Sequence, residues 1–259
     1  MNSQDSIAAG RHFAPAELVL VRHAQSVGNV ADSAAREKGL GRLELTTRDA
    51  DTPLSDTGRE QAEALGSHLS GLDEEERPQV VLASPYERAA HTARLATAGL
   101  DDVPLVTDER LRERDLGLFD GMTGTGIRAE FPQEAERRTT VGKFYYRPPG
   151  GESWTDVALR VRSVLADIRQ EYDGDRVWVF THQAVIMSFR LVLEGLDERR
   201  LLEIDGTEPL ANCSITRYLR GEGGALGLVT FAATRHLELS PAQTTHEEPH
   251  APVGGAPHG

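Results

Sequence analysis

The segment LVLVRHAQSVGN, residues 18–29, marks an abrupt change from apolar to polar sequence. Four consecutive apolar residues predict a buried strand, and the Arg-His pair places two polar side chains at the exit of that strand. A continuous apolar run is typical of strands covered on both faces, as in parallel sheets. The segment therefore predicts an α/β fold and raises the question of what Arg22 and His23 do there.

Short apolar runs alternate with helical patterns along the rest of the chain. Strands are predicted at residues 17–22, 79–84, 103–107 and 176–181. Helices are predicted at residues 55–72, 84–99, 153–172 and 183–196. Residues 212–220 and 226–235 resemble the two strands of a closing hairpin. This alternation predicts a three-layer α/β/α sandwich with a mostly parallel central sheet.

Two of these helices have capping signatures at their starts. Ser84 is expected to cap the helix at 84–99, with Pro85 at its first position and Glu87 completing a capping box. Ser153 and Asp156 form a second capping box at the start of the helix at 153–172. Both signatures predict where a helix begins after a strand or a loop.

The ends of the chain differ in composition from its middle. Residues 1–15 are polar and predict a flexible arm, residues 16–239 predict a single catalytic domain, and residues 240–259 predict a disordered tail rich in Pro, Gly and Ala. The tail contains three histidines, His246, His250 and His258. We expect a solvated tail here and no metal site, because no fold fixes the geometry of these ligands.

Composition limits the classes of partner and compartment. The net charge of −13 over 259 residues argues against a general nucleic-acid or anionic-membrane binder, although a small anionic ligand needs only a local cluster of cations. The single cysteine, Cys213, excludes an internal disulfide, and no apolar run approaches membrane-spanning length. We expect a cytoplasmic protein that is active alone or as an oligomer.

Three predicted strand exits have the same character. Arg22 and His23 follow the first strand, Arg88 lies in the first turn after the second, and His182 follows the fourth. Ligands of parallel sheets bind beyond the carboxyl ends of the strands, so these four side chains are expected to meet at one edge. Two guanidiniums, two imidazoles and helix N-terminal amides suit a tetrahedral dianion.

These pieces resemble the histidine phosphatase superfamily, which includes cofactor-dependent phosphoglycerate mutases and the fructose-2,6-bisphosphatase domain. The resemblance covers residues 17–220 and the pieces keep the order of the family. They are VRHAQSVGN (21–29), PLSDTGREQA (53–62), ASPYERAAHTA (83–93), LRERDLGLFDG (111–121), PGGES (149–153) and VFTHQAVI (179–186). The resemblance implies a phosphoglycerate mutase-like fold.

The resemblance also implies roles for residues of the phosphate site. His23 would be the nucleophile that accepts the phosphoryl group. Arg22, Arg88 and His182 would hold the phosphate oxygens, and Asn29 would add a polar contact. Neighbouring guanidiniums favour the neutral form of an imidazole, which the nucleophile requires.

The resemblance implies two further roles, for Glu113 and for Gln183. Glu113 would donate a proton to the leaving alcohol, although Asp108, Glu109 and Asp115 are close to it in the sequence. The same carboxylate would then serve as base for the attacking water. The backbone N–H of Gln183 would face the phosphate. No metal or other cofactor is required by this chemistry.

The implied activity is a metal-independent phosphatase that hydrolyses small phosphomonoesters through a phosphohistidine. A mutase on the same core is the alternative, and a phosphate-ligand binding protein without turnover is less favoured because His23 and a candidate acid are present. Residues 30–52 contain no aromatic residue, whereas phosphoglycerate mutases typically have an aromatic stretch there. The sequence therefore favours hydrolysis.

The substrate is not readable from the sequence. Lys143, Tyr145, Tyr146 and Arg147 are compatible with a lid over an anionic or sugar substrate and equally with an exposed loop. Arg112 and Arg114 are compatible with substrate contacts and with a solvated face, and they share a partly acidic segment. The partner is expected to be a small phosphorylated molecule.

Overall fold

Six strands form one mixed sheet in the computed structural model, which describes residues 13–246. They are β1 Glu17–Arg22, β2 Val80–Ala83, β3 Leu105–Thr107, β4 Arg176–Thr181, β5 Ile215–Arg220 and β6 Leu226–Ala233. Their order across the sheet is β3-β2-β4-β1-β5-β6. Strands β1 to β4 pair in parallel, and β5 and β6 form an antiparallel hairpin beside β1. The predicted parallel sheet and closing hairpin are confirmed.

Nine α-helices are assigned within the same residues. They are α1 Val27–Glu37, α2 Asp56–Ser70, α3 Glu87–Thr97, α4 Gly124–Glu130, α5 Pro132–Val141, α6 Trp154–Glu171, α7 Gln183–Glu194, α8 Glu198–Thr207 and α9 Arg235–Glu238. Helices α2, α3, α6 and α7 cover the four predicted segments. Helices α1, α4, α5, α8 and α9 were not predicted from the sequence, and four of them lie in connections between the sheet elements.

The central strands β1, β2 and β4 are mostly apolar and buried because both faces of the sheet are covered there. Leu18 and Leu20 of β1 pack in one core with α6 and α7, whereas Val19 and Val21 pack in a second core with α2 and α3. Successive strand side chains point to opposite faces, so one continuous apolar run supplies both cores. The three-layer α/β/α sandwich predicted from the alternation of strands and helices is confirmed.

The capping prediction at Ser84 is wrong. Helix α3 begins at Glu87 and its N-cap is Tyr86, so Pro85 lies before the helix. The hydroxyl of Ser84 is instead 2.8 Å from Nε2 of His182 and accepts a hydrogen bond from the backbone N–H of Tyr86. A contact with a distant strand exit thus replaced the local cap. The capping box of Ser153 and Asp156 is present as predicted.

Both ends of the described chain pack against the domain. Ala14 is buried, and its N–H donates to Asp173. Residues 240–246, which the sequence assigns to the tail, also contact the domain: the carbonyl of Gln243 and the hydroxyl of Thr245 both bind Nε2 of Gln61. Residues 1–12 and 247–259, with His250 and His258, lie outside the described chain. No helix between residues 13 and 246 is long and apolar enough to cross a membrane.

Candidate active site

The parallel pairing of β1 with β4 brings two histidines together. Arg22 pairs with Thr181 in the register of these strands, and His23 and His182 are the next residues of each. Their ring centroids are 5.1 Å apart. Arg88 lies in the first turn of α3, which follows β2 on the other side of β4. The three strand exits therefore meet at one edge of the sheet.

Four ionisable side chains at this edge are almost completely buried. Arg22 is 1% exposed, His23 4%, Arg88 5% and His182 0%. Charged groups are rarely buried without a compensating partner, because their desolvation is costly. A buried cluster with two guanidiniums is a site at which an anion restores the lost solvation.

The hydrogen bond of the His23 ring determines which of its nitrogens carries the proton. Nδ1 is 2.8 Å from the carbonyl oxygen of Ala24, and a carbonyl only accepts, so Nδ1 carries the proton. The neutral imidazole then has its lone pair on Nε2. The backbone of His23 is also fixed, since its N–H donates to the carbonyl of Thr181 and its carbonyl accepts from Cys213.

The second histidine, His182, is oriented by Ser84. Nε2 lies 2.8 Å from the Ser84 hydroxyl, and Nδ1 is buried without a hydrogen-bond partner among residues 13–246. A hydroxyl that donates to Nε2 places the imidazole proton on Nδ1, where it can be donated to an anion. This contact of Ser84 with His182 was not predicted from the sequence. The signal for it was the position of Ser84 directly after β2, at the same edge of the sheet as His182.

Both imidazoles are held in the neutral form. Burial, and then the charges of Arg88 and Arg22, lower the pKa of His23 well below its ordinary value of 6.5. Burial also lowers the pKa of His182 well below 6.5, with contributions from Arg88, His23, Arg160 and Arg22. Both causes act against the charged imidazolium, so the two rings stay unprotonated without a neighbouring base.

The two guanidiniums are anchored in different ways. Nη1 of Arg22 donates to the backbone carbonyl of Leu210. Arg88 donates from Nη1 to the carbonyl of Asp49 (2.7 Å) and to Oδ1 of the same residue (2.9 Å), and from Nη2 to Oδ2 (3.3 Å). The Asp49 side chain is 40% exposed, whereas that of Arg88 is 7% exposed.

This geometry agrees with the comparisons to known proteins. The profile of the histidine phosphatase superfamily (branch 1) matches residues 18–232. The chain belongs to the histidine phosphatase superfamily. Members of this superfamily include phosphatases and mutases. Membership therefore supports the general assignment of this chain as an enzyme of one of these two kinds.

Individual members of the superfamily align over most of the chain. "Phosphoglycerate mutase-like protein 4" of Arabidopsis thaliana is 30% identical and covers 86% of this chain and 87% of its own length. A "2,3-bisphosphoglycerate-dependent phosphoglycerate mutase 2" of Gloeobacter violaceus is 32% identical, over 75% of this chain and 84% of its own. The structure of a mycobacterial glucosyl-3-phosphoglycerate phosphatase superposes with a TM-score of 0.65 at 25% identity, over 85% of this chain and 98% of its own.

Asn29 is connected to His23 through Asn212. Oδ1 of Asn29 accepts hydrogen bonds from the Ser26 backbone (2.8 Å) and from Nδ2 of Asn212 (3.2 Å). The same Nδ2 of Asn212 lies 3.3 Å from the carbonyl oxygen of His23. Asn29 is buried, and its amide belongs to the hydrogen-bond network around the backbone of His23.

The loop that carries Glu113 is tied to the end of β4. The hydroxyl of Thr181 donates to the carbonyl of Leu111 (2.7 Å), and Arg160 donates to the carbonyl of Glu113 (3.2 Å). Arg160 is also one of the charges that lower the pKa of His182, so the Glu113 loop lies beside the second histidine. Oε1 of Glu113 accepts from the backbone N–H of Arg114 at 2.6 Å.

The neighbouring acids are engaged elsewhere. Asp108 caps a short 3-10 helix and pairs with Arg110, which lowers the pKa of Asp108 against the effect of burial. Asp115 accepts from the backbone N–H of Gly117, and Glu109 is exposed. Among these four acids, Glu113 is the one whose backbone carbonyl accepts a hydrogen bond from Arg160. The charge of Arg160 also lowers the pKa of His182.

Gln183 is the first residue of α7, as the resemblance requires for a backbone N–H at a helix start. Its side chain extends to Asp205, with Nε2 3.1 Å from Oδ1. Oδ2 of Asp205 is bound by Lys143 at 2.6 Å. The amide side chain of Gln183 therefore connects α7 to α8 and to the loop before α6.

A second group of cations lies next to Glu113. The guanidinium of Arg114 stacks over the Trp154 ring, 5.6 Å from its centroid. Burial lowers the pKa of Arg114, Glu113 opposes this shift, and Arg138 adds to it. Both arginines are partly exposed, and neither guanidinium has a hydrogen bond or ion pair to a residue in the described range 13–246. Arg138 was not singled out from the sequence, because nothing distinguishes it from Arg137.

Proposed function

We propose that this histidine phosphatase hydrolyses small phosphomonoesters through a phosphohistidine on His23. The observation that carries the proposal is the pair of buried, neutral imidazoles, 5.1 Å apart, with the guanidiniums of Arg22 and Arg88 as their main charged neighbours. A neutral imidazole is a nucleophile, and fixed cations stabilise the charge that a phosphoryl group spreads over its oxygens.

The first half of the reaction transfers the phosphoryl group to the enzyme. Nε2 of His23 forms a bond to phosphorus as the bond to the ester oxygen breaks, and Glu113 gives its proton to the departing alkoxide. Arg22, Arg88 and the Nδ1–H of His182 bind the three remaining oxygens. Electrostatic stabilisation of this kind supplies most of the rate enhancement in phosphoryl transfer.

The second half returns the enzyme to its starting state. Water attacks the phosphorus and Glu113, now a carboxylate, takes its proton. The bond from phosphorus to Nε2 of His23 breaks, inorganic phosphate leaves, and the imidazole is again neutral. Each proton that Glu113 gives in the first half is recovered in the second, so no cofactor is consumed.

The substrate class that suits the pocket is a phosphomonoester whose alcohol carries a second anionic group. Arg114 and Arg138 are partly buried and lie beside the Glu113 loop, and neither guanidinium forms a hydrogen bond or an ion pair with a residue between 13 and 246, although the charges of Glu113, Asp205 and Glu152 act on Arg114. A carboxylate or a second phosphate on the leaving group would compensate for their desolvation. These two arginines support a charged leaving group over a neutral one.

A mutase remains the second candidate, because a relative named as a phosphoglycerate mutase is 32% identical. The absence of aromatic residues from residues 30–52 favours hydrolysis. A time course with phosphoglycerate separates the two activities. Hydrolysis releases inorganic phosphate from the first turnover, whereas a mutase yields the isomeric phosphoglycerate with little release.

Trapping of the phosphoenzyme tests the proposal directly. Brief incubation with a labelled phosphomonoester followed by denaturation should yield a phosphoenzyme that is stable in alkali and labile in acid. His23→Ala should yield none, while His91→Gln, a change on the partly exposed side of α3, should yield the native amount. A His23→Ala protein that hydrolyses substrate at the native rate would disprove this mechanism.

A further inference from the structure

Every hydrogen bond that the Arg88 guanidinium makes to residues 13–246 goes to one residue, Asp49. Nη1 donates to both the backbone carbonyl and Oδ1, and Nη2 donates to Oδ2. A guanidinium has five N–H groups arranged along a planar fork. The three bonds to Asp49 use the Nη1 side of that fork and leave Nε and the second N–H of Nη2 without a partner in the described chain.

The Arg88 guanidinium also acts on both histidines. Arg88 is the charge with the largest effect on both imidazoles, lowering the pKa of His23 and of His182. We propose that Asp49 is a positioning residue that holds Arg88 by its Nη1 side and presents the Nε edge to the phosphoryl group. The inference rests on the proposed function, because it assigns the phosphoryl group to this site.

The loop that carries Asp49 is anchored at both ends, as a positioning role requires. At one end, the N–H of Thr123 donates to the carbonyl of Gly41 and the Thr123 hydroxyl donates to Leu40. A Cβ on Gly126 of α4 would lie 1.9 Å from the Gly41 carbonyl oxygen, so the two backbones are in close contact. At the other end, the N–H of Val27 donates to the carbonyl of Pro53.

Residues 49–51 form one turn of 3-10 helix, in which the Thr52 N–H donates to the carbonyl of Asp49. That carbonyl also accepts from Arg88, so the turn and the guanidinium are fixed by the same atom. A backbone acceptor cannot rotate away as a side chain does, and it keeps Arg88 in one orientation.

The sign of one measurement separates positioning from simple electrostatics. Asp49 is negative and lies beside a site for a dianion, so Coulomb repulsion alone predicts that its removal strengthens phosphate binding. Positioning predicts the opposite, because an Arg88 side chain that lacks its carboxylate partner spends less time in the binding orientation. The two explanations therefore give opposite changes in affinity.

Equilibrium binding of inorganic phosphate by calorimetry is the experiment. Asp49→Ala should raise the dissociation constant about fivefold to tenfold, as expected when a charge-assisted contact is lost. Asp51→Ala is the matched control: it removes the same charge from the same turn, where Asp51 pairs only with exposed Arg48. Its dissociation constant should equal that of the native protein. Unchanged or tighter binding by Asp49→Ala would overturn the proposal.

Two more variants complete the design. Asp49→Asn keeps a side-chain acceptor and the backbone carbonyl, so it should recover at least half of the lost affinity, on a logarithmic scale, and no recovery would also count against positioning. With a phosphomonoester, Asp49→Ala should change KM more than kcat.

Arg88→Ala should abolish phosphate binding. If Arg88→Ala binds phosphate with the native dissociation constant, the proposed phosphate site is wrong. If Arg88→Ala does not bind phosphate but Asp49→Ala binds it with the native dissociation constant, only the role of Asp49 is rejected.

Discussion

The proposed active site has two sides that are built differently. The phosphoryl side, formed by Arg22, His23, Arg88 and His182, consists of residues at most 5% exposed that lie at the ends of strands β1 and β4 or in the first turn of helix α3. The leaving-group side, formed by Glu113, Arg114 and Arg138, lies on the connections between β3 and α6, and all three residues are partly exposed. One side is part of the core, and the other covers it.

The difference follows from what each side has to recognise. A phosphoryl group is the same in every substrate, so its ligands can be fixed on rigid elements and desolvated once, during folding. The alcohol varies between substrates, and residues on loops can change without disturbing the sheet. We therefore expect changes on the phosphoryl side to affect all substrates alike and changes on the leaving-group side to affect some substrates only.

The largest effect is expected from Arg22→Lys. The change keeps one positive charge but removes the planar fork that binds Leu210 and, in the proposed mechanism, the phosphoryl oxygens. We expect kcat/KM to fall about 1,000-fold for every phosphomonoester, the upper range for loss of one preorganised donor. Steady-state kinetics with several substrates measure this.

Arg36→Lys is its control, because Arg36 lies in the last turn of α1 and forms a partly exposed ion pair with Asp32. That variant should keep native kinetics. A loss in Arg22→Lys that differs strongly between substrates would contradict the division into two sides.

Glu113→Gln should have the next largest effect, and it should depend on the leaving group. We expect kcat to fall about 100-fold with alkyl phosphates, whose alkoxides need a proton, and to change little with p-nitrophenyl phosphate, whose phenolate leaves unprotonated. Glu109→Gln, an exposed neighbour in the same segment, should behave as the native protein. An equal fall in kcat with both substrates would show that Glu113 is not the proton donor.

The phosphoryl side was predictable from the sequence because of one physical rule. Apolar runs identify parallel strands, and the ends of parallel strands meet at one edge, so Arg22, His23 and His182 could be placed together without coordinates. Arg88 followed from its position at a helix start. The rule works because strand direction and pairing fix these positions to within a residue.

The rest of the site was not predictable, because it depends on contacts between loops. Ser84 matched a local capping signature, but the buried Nε2 of His182 competed for its hydroxyl and displaced the helix start to Glu87. Asp49 and Arg138 lie in segments without hydrophobic periodicity. No sequence pattern indicates that Asp49 binds Arg88 or that Arg138 lies near Arg114. Loop register is set by tertiary contacts that a single sequence does not reveal.

Arg138→Gln is expected to have a smaller and more selective effect. If Arg138 binds an anion on the leaving group, KM should rise about tenfold for phosphoglycerate and remain unchanged for glycerol phosphate, which lacks the carboxylate. Arg137→Gln, its exposed neighbour on α5, is the control and should change neither KM. If Arg138→Gln raises both KM values equally, the residue acts on folding or on the phosphoryl side, and the proposed charged leaving group loses its support.

The smallest expected effect is a nearly constant kcat/KM between about pH 7 and about pH 6. Burial, Arg88 and Arg22 hold the pKa of His23 well below 6.5, so the reactive neutral imidazole persists as the pH falls through 6.5 and is lost only at the lower folded pKa. Between about pH 7 and about pH 6, an imidazole of ordinary pKa would lose about threefold of its neutral form. We expect less than about a twofold change in kcat/KM over that range, after correction for the second ionisation of the substrate phosphate near ~6. A threefold fall centred on 6.5 would show that His23 titrates like a solvated histidine, and the contrast between a buried phosphoryl side and an exposed leaving-group side would no longer hold.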